Sequence, residues 1–147
     1  MGSARSATKP PCSGRSLTHH RFPLRVYYED TDFSGVVYHA SYLRFFERGR
    51  TEFIRSCGID QQALHRETGV YFVVRRMAVD WLKPALMDDE LVVETKAVKF
   101  GGASMELSQR ILRGEEVLTT AEVLVVILKE GRPTRLPDSI RAQIPAG

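Results

Sequence analysis

The stretch Ala40-Ser41-Tyr42-Leu43-Arg44-Phe45-Phe46-Glu47-Arg48-Gly49-Arg50-Thr51-Glu52-Phe53-Ile54-Arg55-Ser56-Cys57 decides the fold. Tyr42, Phe45, Phe46, Gly49 and Phe53 recur at three- and four-residue steps, which puts them on one face of a helix. Leu43 and Ile54 widen that face, so the surface to be covered exceeds the seam of a helix pair and calls for a sheet wrapped around it. Gly58 stands where a helix C-terminus needs a residue free to turn left-handed. A second short helix is expected over Asp60 to Thr68, capped by Asp60 and ended by Gly69.

Downstream of Gly69 the period becomes that of strands. Tyr71 to Trp81, Leu91 to Phe100, Ser104 to Leu112 and Val117 to Leu128 are separated by turn chemistry at Pro84–Asp89, Gly101-Gly102 and Gly114-Glu115. Breaks this short imply antiparallel hairpins between successive strands. The unbroken apolar run Val123–Leu128 reads as a strand covered on both faces. Upstream, Arg25-Val26-Tyr27-Tyr28 reads as one more strand, starting after Pro23. The fold class is therefore α+β, with a curled antiparallel sheet around a long central helix.

At 147 residues the chain suits one domain, assigned to residues 22–147. Residues 1–21 are rich in Ser, Thr, Pro and Arg and form a basic N-terminal tail expected to be disordered. They lack the apolar stretch of a secretory signal and the amphipathic pattern of an organellar transit peptide. Of the net charge of +3, the tail contributes +4, which leaves residues 22–147 at −1. A near-neutral body argues against nucleic acid, whose phosphates need clustered Lys and Arg on a folded face. No run of eighteen apolar residues is present, so no transmembrane segment is expected. Cys12 and Cys57 are too few for a disulfide framework, and the expected location is cytoplasmic.

The chemistry narrows by what is missing. There is no G-x-S-x-G, G-x-x-x-x-G-K, G-x-G-x-x-G or H-E-x-x-H. Within the body only His39 and His65 are imidazoles, which gives thin support for a metal site. A carboxylate is the remaining actor, and Glu29, Asp30 and Asp32 cluster at a strand end before the apolar helix. Crowding beside aromatic residues predicts pKa values perturbed by desolvation and mutual repulsion, suited to a general base or a nucleophile. The same Asp-Thr-Asp-Phe-Ser-Gly run also builds turns, and on residue physics alone that structural duty is the better account. His39 either orients the base or caps the helix. The first-turn N–H groups of the helix are donors for a developing oxyanion. Glu47 is expected in i,i+3 ion pairs with Arg44 and Arg50. Cys57, at a helix C-terminus, is a poor thiolate. Ser104 after Gly101-Gly102 fits phosphate or pantetheine binding, and a hairpin accounts for the glycines equally well.

The residues Tyr27-Tyr28-Glu29-Asp30-Thr31-Asp32 and Gly35-Val36-Val37-Tyr38-His39-Ala40-Ser41-Tyr42 resemble the signature of the YbgC-type, Tol–Pal-associated acyl-CoA thioesterases. These belong to the hotdog-fold 4-hydroxybenzoyl-CoA thioesterase superfamily. The likeness continues through Phe46-Glu47-Arg48, Phe72-Val73-Val74-Arg75, Ser108-Gln109-Arg110-Ile111 and Ala121–Val126, covering about residues 24–140. It implies hydrolysis of an acyl-CoA, or of an acyl carrier protein thioester, to free acid. Asp32 is then the catalytic carboxylate, with Tyr28 and His39 supporting it, and Asp30 structural. Glu47 remains a rival, because another hotdog branch carries its carboxylate on the central helix. Tyr38, Lys83, Gly102 and Ser104 become candidate substrate contacts, with Arg75 and Arg76 as further candidates for the CoA phosphates. The resemblance implies no metal or redox cofactor, and a homodimer or homotetramer with sites between subunits. It also implies a location in the cytoplasm or peripheral to the inner membrane. The alternative it leaves is a non-catalytic acyl-binding or scaffold protein of the Tol–Pal envelope system.

Overall fold

The computed structural model describes residues 19–146. The tail's residues 1–18, with Cys12, lie outside them. The elements in chain order are β1 (His20–Arg25), a single 3-10 turn (Tyr28–Asp30), α1 (Ser41–Ser56), α2 (Gln61–Thr68), β2 (Val70–Trp81), β3 (Glu90–Phe100), β4 (Ser104–Arg113), β5 (Glu116–Lys129), β6 (Arg132–Pro133) and α3 (Asp138–Arg141). The sheet order is β1-β3-β4-β5-β2, all antiparallel, with β6 added to β5. This is the hotdog arrangement of a curled sheet around α1.

Helix α1 buries Tyr42, Phe45, Phe46, Gly49, Phe53 and Ile54, the face read from the sequence, whereas Leu43 stays exposed. Burying each of the three phenylalanines contributes about 1.5–3 kcal/mol. The helix lies against β3 at Gly49, where an added Cβ would fall on Val93 Cγ1 and come 3.3 Å from Gln109 Nε2. Gln109 is itself fully buried on β4. Its Nε2 donates to the Phe46 carbonyl at 3.0 Å and to Thr95 Oγ1 at 2.9 Å, while its Oε1 accepts from Arg50 at 3.1 Å. Helix and sheet thus meet at van der Waals contact with the polar groups between them paired. Helix α2 has the expected cap, Asp60 accepting from the Ala63 N–H at 3.1 Å, and ends at left-handed Gly69.

Four expectations are corrected. First, the opening strand is His20–Arg25, not Arg25–Tyr28, so His20 and Arg21 belong to the sheet rather than to the tail. Its signal was the alternation of His20, Phe22 and Leu24, and Pro23 is tolerated because β1 is an edge. Second, β2 does not form a hairpin with β3. It crosses to the far edge and pairs with β5, because the connecting segment is occupied elsewhere: Ala85 donates to the Tyr42 hydroxyl at 3.0 Å and accepts from the Val37 N–H at 2.9 Å. Third, the Val123–Leu128 run is buried on one face only, Leu124, Val126 and Leu128 being half-buried. Fourth, among the described residues Glu47 makes no direct ion pair with Arg44 or Arg50, although its charge still acts on Arg50. Arg44 turns to Asp30 at 3.4 Å and Arg50 to Gln109.

The contact at Gly49 yields a stability test. Alanine there gains roughly 0.5–1 kcal/mol of helix propensity. It also overpacks the helix–sheet contact, which costs about 1–3 kcal/mol. Gly49→Ala should therefore lower stability in denaturant titration, against the usual direction for glycine replacement in a helix.

Candidate active site

Residues 28–39 form one tight hairpin between β1 and α1. Thr31 bridges Val37, and the Tyr38 N–H donates to the Asp30 carbonyl at 3.0 Å. The hairpin is clamped from outside by the segment after β2: Val36 bridges Leu86, and the Met87 N–H donates to the Gly35 carbonyl. This places Tyr28, Asp32, Tyr38 and His39 on one loop at one end of the molecule.

The two aspartates part company in this loop. Asp30 is 3% exposed; its carboxylate accepts from the Tyr27 N–H at 2.9 Å, and its carbonyl also takes the Ser41 hydroxyl at 3.1 Å. It holds the loop together. Asp32 stands at the exposed tip, and Gly35, at φ +89°, closes the turn that carries it. One oxygen, Oδ1, accepts both from the Ser34 hydroxyl at 2.6 Å and from the Ser34 N–H at 2.9 Å. No hydrogen bond from the described residues reaches Oδ2. The Ser34 side chain, then its backbone N–H, hold the Asp32 pKa below its ordinary value. The expected perturbation is present with a different cause and direction. Hydrogen bonding to the charged form outweighs desolvation at so exposed a position.

At the start of α1, the Tyr38 carbonyl accepts from the Ser41 N–H at 2.8 Å. The N–H groups of His39 and Ala40 donate to nothing among the described residues, whereas that of Tyr38 is spent on Asp30. The donors left open on the loop ahead of the helix are therefore those of His39 and Ala40. His39 is exposed, with the Tyr38 ring 4.5 Å away and the Trp81 ring edge-on at 6.0 Å. The Trp81 Nε1–H donates to the His39 carbonyl at 3.2 Å. Sequence reasoning passed over Trp81, whose one signal was to be the sole tryptophan, at the end of a strand.

The remaining candidates divide. Lys83 is at the same end as Trp81, and its ammonium pairs with Glu116 at 2.9 Å. Gly102 and Ser104 lie at the opposite end of the sheet, since Ser104 pairs with Val126 whereas Trp81 pairs with Thr119. At strand rise this is about 25 Å away within one chain. Tyr28 is 81% exposed and makes no hydrogen bond to Asp32.

A cavity of about 430 Å³ runs between the flank of α1 and the inner face of β2, β4 and β5, of a size suited to a small-molecule group. Leu43, Ile54, Phe72, Met77, Met105 and Leu107 supply its apolar wall, and Glu47 and Arg50 its polar one. Burial pushes the Arg50 pKa down. Asp32 is not among the lining residues. Phe72 lines this cavity, whereas Phe45 is in the core and Phe33 projects into solvent.

The sequence pattern of the thioesterase-like superfamily matches residues 26–144. The acyl-CoA thioester hydrolase YbgC of Escherichia coli O6:H1 is 49% identical over 131 residues, 87% of this chain and 97% of that protein. The acyl-CoA thioesterase YbgC of Haemophilus influenzae is 45% identical over 123 residues, 82% and 90% of the two chains. Among solved structures, a probable thioesterase from Bartonella henselae is 46% identical with a TM-score of 0.76, covering 81% of this chain and 99% of that one. A thioesterase from Thermus thermophilus, complexed with coenzyme A and Zn, is 31% identical with a TM-score of 0.74, covering 84% and 90%.

The Ser34–Asp32 bonds make a direct prediction. Ser34→Ala removes the hydroxyl donor and keeps the backbone one. The Asp32 pKa should rise toward the ordinary carboxylate value without reaching it, so the carboxylate protonates at higher pH than in the wild type. A ¹³C NMR titration of the Asp32 carboxyl reads this shift.

Proposed function

The chain belongs to the thioesterase-like superfamily and is a thioester hydrolase, and from that premise we propose that it hydrolyses acyl-CoA with Asp32 as the reacting carboxylate. The observation that carries this reading is the asymmetry of Asp32. One carboxylate oxygen is fixed by Ser34, the other is open, and the same loop ends in two unspent N–H donors at the start of α1. A carboxylate held ionised by Ser34 has the form that a base or nucleophile needs. Acting as base, it takes a proton from water; the hydroxide adds to the thioester carbonyl, whose oxygen gathers charge beside the His39 and Ala40 N–H groups. The C–S bond then breaks and the CoA thiolate takes up the proton. Acting as nucleophile, Asp32 attacks the carbonyl, and the C–S bond breaks to expel the CoA thiolate and leave a mixed anhydride. Water then opens the anhydride and supplies the thiolate's proton, with the same products. His39 and Tyr28 border this reaction, and an acyl carrier protein thioester presents the same reacting atoms.

The site is completed by a second copy. Strand β2 is twelve residues long, lies at the sheet edge and exposes Val73 and Val74, a template for pairing. Antiparallel pairing of two such edges about their middle carries the partner copy's 102–104 hairpin to the Asp32 end. The long separation within one chain then becomes proximity between chains, and the cavity beside α1 receives the acyl group.

Two measurements test this reading. Over an acyl-CoA panel with free-thiol detection, Asp32→Asn should lose about 10²–10⁴-fold in kcat, with fold and oligomer retained, while Glu47→Gln stays near wild type. Full turnover by Asp32→Asn would sink the assignment. In the second, Val73→Lys with Val74→Lys sets like charges across the β2 edge. Light scattering should then show monomers, with turnover lost alongside; an unaltered dimer would refute pairing through β2.

A further inference from the structure

Trp81 stands on β2, forty-two residues after His39, yet it makes the one side-chain hydrogen bond among the described residues that reaches the His39 backbone. The peptides at the start of α1 are held by their carbonyls. Tyr38 O accepts from the Ser41 N–H, which fixes the unit bearing the His39 N–H. His39 O accepts from the Trp81 indole, which fixes the unit bearing the Ala40 N–H. In a planar trans peptide the C=O and N–H point opposite ways, so a bond that aims the carbonyl also aims the amide. Accepting a hydrogen bond at the carbonyl also polarises the unit and strengthens its N–H as a donor. The indole edge packs against the His39 imidazole at 88°, so one side chain restrains both the backbone and the ring of His39.

We propose that Trp81 is a positioning residue for hydrolysis: its indole N–H fixes the His39–Ala40 peptide, and its ring fixes the His39 imidazole, so that the donors at the start of α1 are set before substrate arrives. This rests on the reading of those N–H groups as the partners of the thioester oxygen. Trp81 ends the strand whose edge is offered to a second copy, so pairing at that edge and the geometry of the donors share one element.

The test uses the full chain in its native oligomer with Trp81→Phe. A second variant carries 3-benzothienylalanine at position 81, which keeps the shape of the indole and lacks only the N–H. Loss of one aiming hydrogen bond is expected to lower kcat about tenfold with KM within about twofold. The ¹H–¹⁵N order parameters of the His39 and Ala40 amides should fall in both variants, in the wild-type and the Asp32→Asn backgrounds alike, with the melting temperature retained. Unchanged kcat, unchanged order parameters at these two amides, or a general fall in order parameters with a lowered melting temperature would each overturn the proposal. Because these order parameters do not depend on turnover, an active Asp32→Asn protein would end the Asp32 reading while the Trp81 restraint is still measured.

Discussion

The structure depends on how closely α1 approaches β3. A glycine at position 49 lets the helix backbone rest on Val93, and the same contact brings the Phe46 carbonyl within reach of the buried Gln109 amide. A residue with a side chain would lift the helix off the sheet. The Gln109 amide would then lose its acceptor on the helix in an apolar interior, a cost comparable to a lost hydrogen bond or more. One small residue therefore sets the height of the helix above the sheet. That height in turn sets where the first turn of the helix emerges beside the Asp32 hairpin.

From that emergence the site follows by a short chain of bonds. The Tyr42 hydroxyl takes the Ala85 N–H, Ala85 takes the Val37 N–H, and Asp30 ties the loop to both ends. Burial raises the Tyr42 pKa, against the opposing pull of the Ala85 N–H that its oxygen accepts. The hairpin is thereby rigid around Asp30, while Asp32 is exposed and held only by its own turn. A scaffold that fixes the loop and leaves one carboxylate oxygen unengaged suits the role proposed for Asp32.

Much of this was legible in the sequence, and the failures have physical reasons. The face of α1 and the strands after Gly69 were readable because their periods are strong and their ends carry glycines or caps. β1 was misplaced because His20 and Arg21 share the composition of the tail, although the two-residue period runs through them. The crossover of β2 was missed because turn residues at Pro84–Asp89 announce a break and say nothing about which strand comes next. In the site, residue types singled out the Asp-Thr-Asp cluster, and only the resemblance favoured Asp32 over Asp30. The division of labour between them depends on burial, which local sequence does not encode. Trp81 was invisible for a similar reason: its partner is a backbone carbonyl far away in the chain.

The crossing of β2 to the far edge also bears on the order in which the chain is assembled. Val70 pairs with Lys129 and Trp81 with Thr119, so β2 leaves the ribosome well before its partner within the chain exists. Pairings so distant in sequence are slow to close, because loop entropy is lost before contacts compensate. During that interval an apolar strand has both edges open, the condition that favours association with the wrong chain.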